Sequence, residues 1–124
     1  MNGLFELIMH LAALRMNKSS LGREIMCWST GHPPERYAGL VGGVAKDDVL
    51  LAISVLRTGK RLRATVGWVD CRICGEVLGT SNLGAHGFVW PERSEHYIEA
   101  HGVWTPGLDE LVRAARSSQE RGPA

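Results

Sequence analysis

The chain has 124 residues, 44% of them hydrophobic and 22% charged, with a formal net charge of +1. That size and balance fit one ordinary domain burying a little under about 70% of its unfolded surface. The charge suggests neither a nucleic-acid tail nor an acidic partner, and three cysteines, two of them in a metal-type motif, point to a reducing compartment, the cytoplasm.

In chain order, residues 4–15 carry Leu4, Leu7, Ile8, Leu11 and Leu14 at helical spacing, which predicts an amphipathic helix with its stripe in the core. Glu6 and His10 interrupt the run, and it lacks a basic leader and a small-residue cleavage site. It therefore reads neither as a signal peptide nor as a membrane span. Asn17 to Ser20 breaks the pattern, and Leu21 to Trp28 follows as a second short helix despite Gly22. Thr30 to Glu35 holds two prolines and reads as a loop. Cys27 stands apart from the other cysteines and is expected to be a buried thiol; a second metal site from Cys27 and His32 lacks a further ligand pair.

Gly39 to Lys46 is glycine-rich but lacks the contiguous Gly-Lys-Ser/Thr of a phosphate loop. A flexible connection or a helix end packed closely on a neighbour accounts for it better. Asp47 and Asp48 then lead the apolar run Val49 to Leu56, closed by Arg57 and Gly59, which predicts a buried helix with charges matched to its dipole. Arg61 to Val69 alternates as a strand, with Leu62, Ala64, Val66 and Trp68 on one side.

That strand delivers the chain to Cys71-x-x-Cys74-Gly75, and downstream stand His96 and His101. Two cysteines two residues apart and two histidines four residues apart form the ligand set of a closed tetrahedral zinc site. Four protein donors leave no position for water, so the expected Zn2+ is structural rather than catalytic. Gly75 suits the left-handed turn of a cysteine knuckle. Between the halves, Glu76 to Gly79 and Gly87 to Trp90 read as short strands around a loop, Thr80 to His86. Pro91 suits a first helical position and Gly102 a C-terminal cap, which predicts a helix from about Pro91 to His101. The two histidines stand about 140° apart on an ideal helix, so its last turn must adjust for both to reach one ion. His86 is the substitute ligand should one of the pair fail.

The string Cys71-Arg72-Ile73-Cys74-Gly75, then Gly87-Phe88-Val89-Trp90-Pro91-Glu92, then His96-Tyr97-Ile98-Glu99-Ala100-His101 resembles a set of small bacterial zinc-binding proteins with a CxxCG, VWPE, HYxxxH pattern. The resemblance implies zinc at Cys71, Cys74, His96 and His101 and a bacterial source, and it implies no activity. The chain departs from the pattern at Ser94-Glu95, where an apolar or small pair is more usual.

After Thr105-Pro106, Leu108, Leu111, Val112 and Ala115 predict a helix over 108–116 that docks on the domain, with 117–124 as a flexible tail. The fold class is then α+β: a small elaborated ββα zinc-finger-like unit packed with N-terminal helices and a C-terminal helix. The expected organisation is a single domain over 1–116, mainly helical over 4–57 and zinc-binding over 61–104.

Enzyme signatures are missing: no His-x-Glu precedes a Pro-Cys-x-x-Cys, no His-Glu-x-x-His stands on a helix, and no Gly-x-Ser-x-Gly occurs. Redox use of the cysteine pair is the main enzymatic alternative, but it needs a helix starting at the cysteines, which Gly75 discourages. Two binding functions follow. Arg57, Lys60, Arg61, Arg63 and Arg72 stand against Asp70 alone, a basic hairpin that could lie along a nucleic acid. The histidine helix instead offers Glu92, Glu95 and Glu99 against Arg93, a face that repels phosphates. A small intracellular protein that binds another protein, as regulator, adaptor or toxin-neutralising partner, is the preferred reading.

Overall fold

The computed structural model describes residues 22–121. The helix expected over 4–15 and the break at 17–20 lie outside the described residues. The remainder is α+β. Two strands flank two short 3-10 turns and a helix: β1 (Arg23–Glu24), the turns Pro34–Tyr37 and Leu40–Gly43, then α1 (Lys46–Thr58) and β2 (Lys60–Asp70). β3 (Val77–Ala85), β4 (Phe88–Pro91), α2 (Glu95–His101) and α3 (Pro106–Arg121) complete the order.

The sheet runs β1-β4-β3-β2. β2 and β4 both pair antiparallel with the central β3, and β1 joins β4 in parallel, Arg23 opposite Phe88. Buried apolar side chains from every layer meet in one core that includes Leu56 of α1, Leu78 and Leu83 of β3, Trp90 of β4, Ile98 of α2 and Leu108 and Leu111 of α3. Trp90 is fully buried, and its indole N–H donates to Leu56 O at 3.1 Å, so the largest core side chain leaves no polar atom unsatisfied. Gly59 makes room for it: a Cβ there would sit 2.6 Å from the indole ring.

α1 forms where the acid-first, base-last apolar run predicts it, and ion pairs tie it to its neighbours: Arg57 to Glu95 and Glu99 of α2, and Asp48 to Arg116 of α3. α3 starts at Pro106 behind Thr105, whose hydroxyl accepts the Leu108 amide at 3.2 Å. Its expected stripe of Leu108, Leu111, Val112 and Ala115 is buried. The helix continues to Arg121, past the expected stop at 116, because Ser117 to Glu120 contain neither glycine nor proline to end it.

Several sequence expectations are corrected. Residues 22–28 are not helical. Gly22 at φ 117° and Met26 at φ 59° turn the chain outside helical geometry, and Arg23 and Glu24 pair with the sheet instead. The turn at Met26 buries that side chain and directs Cys27 outward, so Cys27 is exposed rather than core. The stretch 80–85, expected as loop, is the middle of the sheet. Its small residues serve close packing: a Cβ at Gly84 would meet Leu62 at 2.8 Å. On β2, a register shift between Ala64 and Val69 breaks the alternation that would place Trp68 beside Leu62. Trp68 is 74% exposed. The glycine-rich stretch does dock a helix end: Gly39 and Val41 donate to His101 O and Gly102 O at 3.3 and 3.0 Å.

Candidate metal centre

β2 ends at Asp70, and the chain turns at once. The Gly75 amide donates to Cys71 O at 2.8 Å, the Cys71 amide to Glu76 O at 2.7 Å and the Ile73 amide to Cys71 Sγ at 3.4 Å. Gly75, at φ 82°, occupies the left-handed conformation this closure needs. The result is a knuckle with both sulfurs on one side, Cys71 buried and Cys74 exposed.

The histidines come from α2, but its start differs from the expectation. Pro91 closes β4, Arg93 adopts φ 60°, and the helix begins only at Glu95. His101 is the last helical residue. Gly102, at φ 64°, ends the helix with its amide on Ile98 O, and the Val103 amide wraps back to Tyr97 O at 3.0 Å. With His101 at that terminus, the angular mismatch of the pair is absorbed and the imidazoles stand 5.2 Å apart at 80°.

The four side chains Cys71, Cys74, His96 and His101 converge, each offering a donor atom within 4.8 Å of the others. A zinc tetrahedron with Zn–S about 2.3 Å and Zn–N about 2.0 Å has edges of roughly 3.3–3.8 Å, so no donor pair exceeds that size by more than about 1.5 Å. One edge already has it: Cys74 Sγ to His96 Nε2 is 3.4 Å. His101 Nε2 is buried and makes no hydrogen bond, an arrangement costly for a free imidazole and natural for one facing an ion. The donor set therefore fits a bound metal ion. The substitute ligand is not needed: His86 is exposed in the β3–β4 turn, separated from the knuckle by the length of β3, on the order of 25 Å.

Three residues support the donors that spacing alone does not reveal. Tyr97 is buried beneath the knuckle, where its hydroxyl accepts the Arg72 amide at 2.9 Å, and burial pushes its phenol up to about 12. The Glu76 carboxylate accepts from Arg93 Nη2 at 2.7 Å and lies 3.9 Å from His96 Nδ1. The Arg93 hydrogen bond, helped by His96, holds the Glu76 carboxyl below its usual range. Tyr97 stands in the HYxxxH string, whereas nothing in the sequence singles out Glu76 or Arg93.

The acidic helix face is also revised. Glu95 is buried against Arg57. Glu92 turns inward to accept the Thr80 and Ser81 amides at 3.1 and 3.2 Å, a reach that Gly79 permits because a Cβ there would overlap the carboxylate. Burial works against ionisation of Glu92, yet those two amides and Arg61 outweigh it and hold its carboxyl below the usual value. Of the five residues of the basic hairpin, Arg57 is paired with Glu95 and Glu99 and Arg61 with Glu92, whereas the Arg72 guanidinium meets the Trp28 carbonyl. Lys60 is exposed.

The cysteine pair leads into β3 and not into a helix, so a thioredoxin-like setting is absent here. No helix among the described residues is long and apolar enough to cross a membrane. The chain matches no family model, no curated protein and no solved structure.

Proposed function

We propose that the four side chains hold one structural Zn2+ and that the zinc-stabilised fold acts in the cytoplasm by binding another protein. Two thiolates and two imidazoles suit zinc in softness and geometry, and two thiolates neutralise the charge of the ion. Bound there, zinc would supply cross-linking of the β2–β3 knuckle to α2; the closed donor set leaves no position for a substrate or an activated water.

The observation that carries the partner reading is Trp68. It is 74% exposed, in a strand irregularity ahead of the knuckle, and Val77, opposite Asp70 on β3, is 50% exposed. Bulges re-aim side chains near functional sites, and exposed tryptophan is a typical anchor of protein interfaces. A nucleic-acid partner would use Arg57, Lys60, Arg61, Arg63 and Arg72, but Arg57 and Arg61 are engaged with carboxylates of this chain. The protein reading is therefore preferred.

Elemental analysis of the purified protein should give one zinc per chain, and none for Cys74→Ser. In affinity capture, a protein held in one-to-one ratio by the parent should be lost with Trp68→Ser at unchanged zinc content. Retention of nucleic acid that falls steeply with salt, without a protein partner, would overturn this reading in favour of the basic hairpin.

A further inference from the structure

We propose that Glu76 is a positioning residue of the metal centre: its carboxylate accepts the Nδ1 proton of His96 and fixes the ring with Nε2 toward the ion, while Arg93 holds the carboxylate in place. The inference rests on the zinc reading above and concerns residues outside the four donors.

The two ring nitrogens of His96 face different neighbours. Nε2 is 3.4 Å from Cys74 Sγ, on the donor side, and Nδ1 faces Glu76 Oε2 at 3.9 Å. A neutral imidazole that ligates through Nε2 must carry its proton on Nδ1, and a carboxylate beside Nδ1 selects that tautomer and orientation. The separation is about an ångström longer than a hydrogen bond. Glu76 and Arg93 are both about half exposed, 48% and 47%, so the bonded pair can shift together to close the gap without parting.

Arg93 is placed for this task at a conformational cost. Its φ of 60° is left-handed, a region that L side chains disfavour. There its guanidinium spans two neighbours, Nη2 on Glu76 Oε2 at 2.7 Å and Nη1 on Val77 O at 3.2 Å. One clamp thus fixes both the backbone after the knuckle and the carboxylate facing His96. Glu76 and Arg93 cancel in charge, so the carboxylate adds no net charge beside the two cysteines. A bare surface ion pair would do none of this for the histidine.

The test is zinc affinity measured by competition with a chromophoric chelator at one fixed pH, with nitrogen-15 spectra of the His96 ring in the zinc-loaded protein. Glu76→Ala should keep one zinc per chain but bind it roughly 10–100-fold more weakly. Glu76→Gln should lose less, since its amide oxygen accepts the same proton, and it carries the test should the alanine variant fail to fold. Arg93→Ala should have a smaller effect, and adding it to Glu76→Ala should cost little more. The slowly exchanging Nδ1 proton of His96 should vanish with Glu76→Ala while the His101 ring signals persist. Glu76 variants that bind zinc as tightly as the parent, or more weakly with the His96 proton unchanged, would overturn the positioning role alone. A parent that binds no zinc would overturn the zinc reading and this role together.

Discussion

The two ends of β2 are built by different physics. At its start, α1 and α3 close over the sheet around a fully buried Trp90, and the stabilising term is removal of apolar surface from water. At its end the knuckle and α2 carry an exposed Cys74, two partly exposed histidines and a shell of charged side chains. That end gives Cys71, Tyr97 and Ile98 to the core, but its buried His101 nitrogen makes no hydrogen bond, a liability without an ion. One region holds itself together by packing; in the proposed zinc-bound protein the ion cross-links the other. They touch through Tyr97 and Ile98, which belong to the shared core although they flank the ligands.

The largest effect expected from this contrast is metal removal. Structural zinc in small fingers is worth on the order of 10 kcal/mol, comparable to the whole stability of a domain. A strong chelator, or Cys74→Ser, should therefore unfold at least the knuckle and α2. Amide exchange should rise first over 71–76 and 95–101 and later in β3 and α1. Simultaneous loss of protection everywhere would show one cooperative unit and remove the distinction between the regions. Because thiolate ligands must be deprotonated, metal should also be released as pH falls.

Second in size is the packed region. Trp90→Ala removes a fully buried side chain and leaves a cavity, at a cost of about 3–5 kcal/mol, read from denaturant unfolding of the zinc-loaded protein. Zinc stoichiometry should stay at one per chain. Loss of zinc in this variant would mean that the core, rather than the knuckle, presents α2 to the ion.

Smaller again is Glu92, which borrows from both regions. Glu92→Gln should cost roughly 1–3 kcal/mol by weakening charge-assisted bonds from Thr80, Ser81 and Arg61. The folded carboxyl lies below its ordinary value, so its contribution is complete above the ordinary glutamate range, about 4.3, and disappears as pH falls through the lowered folded value. The parent should thus lose stability over that acid window more steeply than the variant in matched urea titrations.

What the sequence showed, and what it hid, follows the same division. The four converging side chains were legible because metal chemistry prescribes residue type and spacing, α1 because acid, apolar run, base and glycine followed in order, and α3 because apolar period and terminal charges agreed. The stretch 80–85 was not, because a central strand built from Thr80, Ser81, Asn82 and Gly84 owes its place to neighbours that need space, Glu92 and Leu62, and not to its own propensity. Residues 22–28 failed for a related reason: β1 exists only as a two-residue addition to β4, a long-range pairing with no local signature. The proposed roles of Glu76 and Arg93 were hidden because outer carboxylates and their partners keep no fixed spacing from the side chains they support.

The smallest expected effect sharpens the contrast among the three cysteines. Read as a buried core thiol, Cys27 would cost a few kcal/mol on replacement by a polar residue; its exposed position, with Sγ 3.5 Å from Ile25 O, changes that expectation. A serine hydroxyl can keep that carbonyl contact, so Cys27→Ser should shift stability by no more than about 0.5 kcal/mol and leave zinc content at one per chain. Under the same conditions Cys74→Ser should remove the metal, although Cys74 is also exposed. Exposure is then shared, but Cys74 belongs to the four-donor cluster and Cys27 does not, so similar effects of the two replacements would detach the stability of this chain from its metal centre.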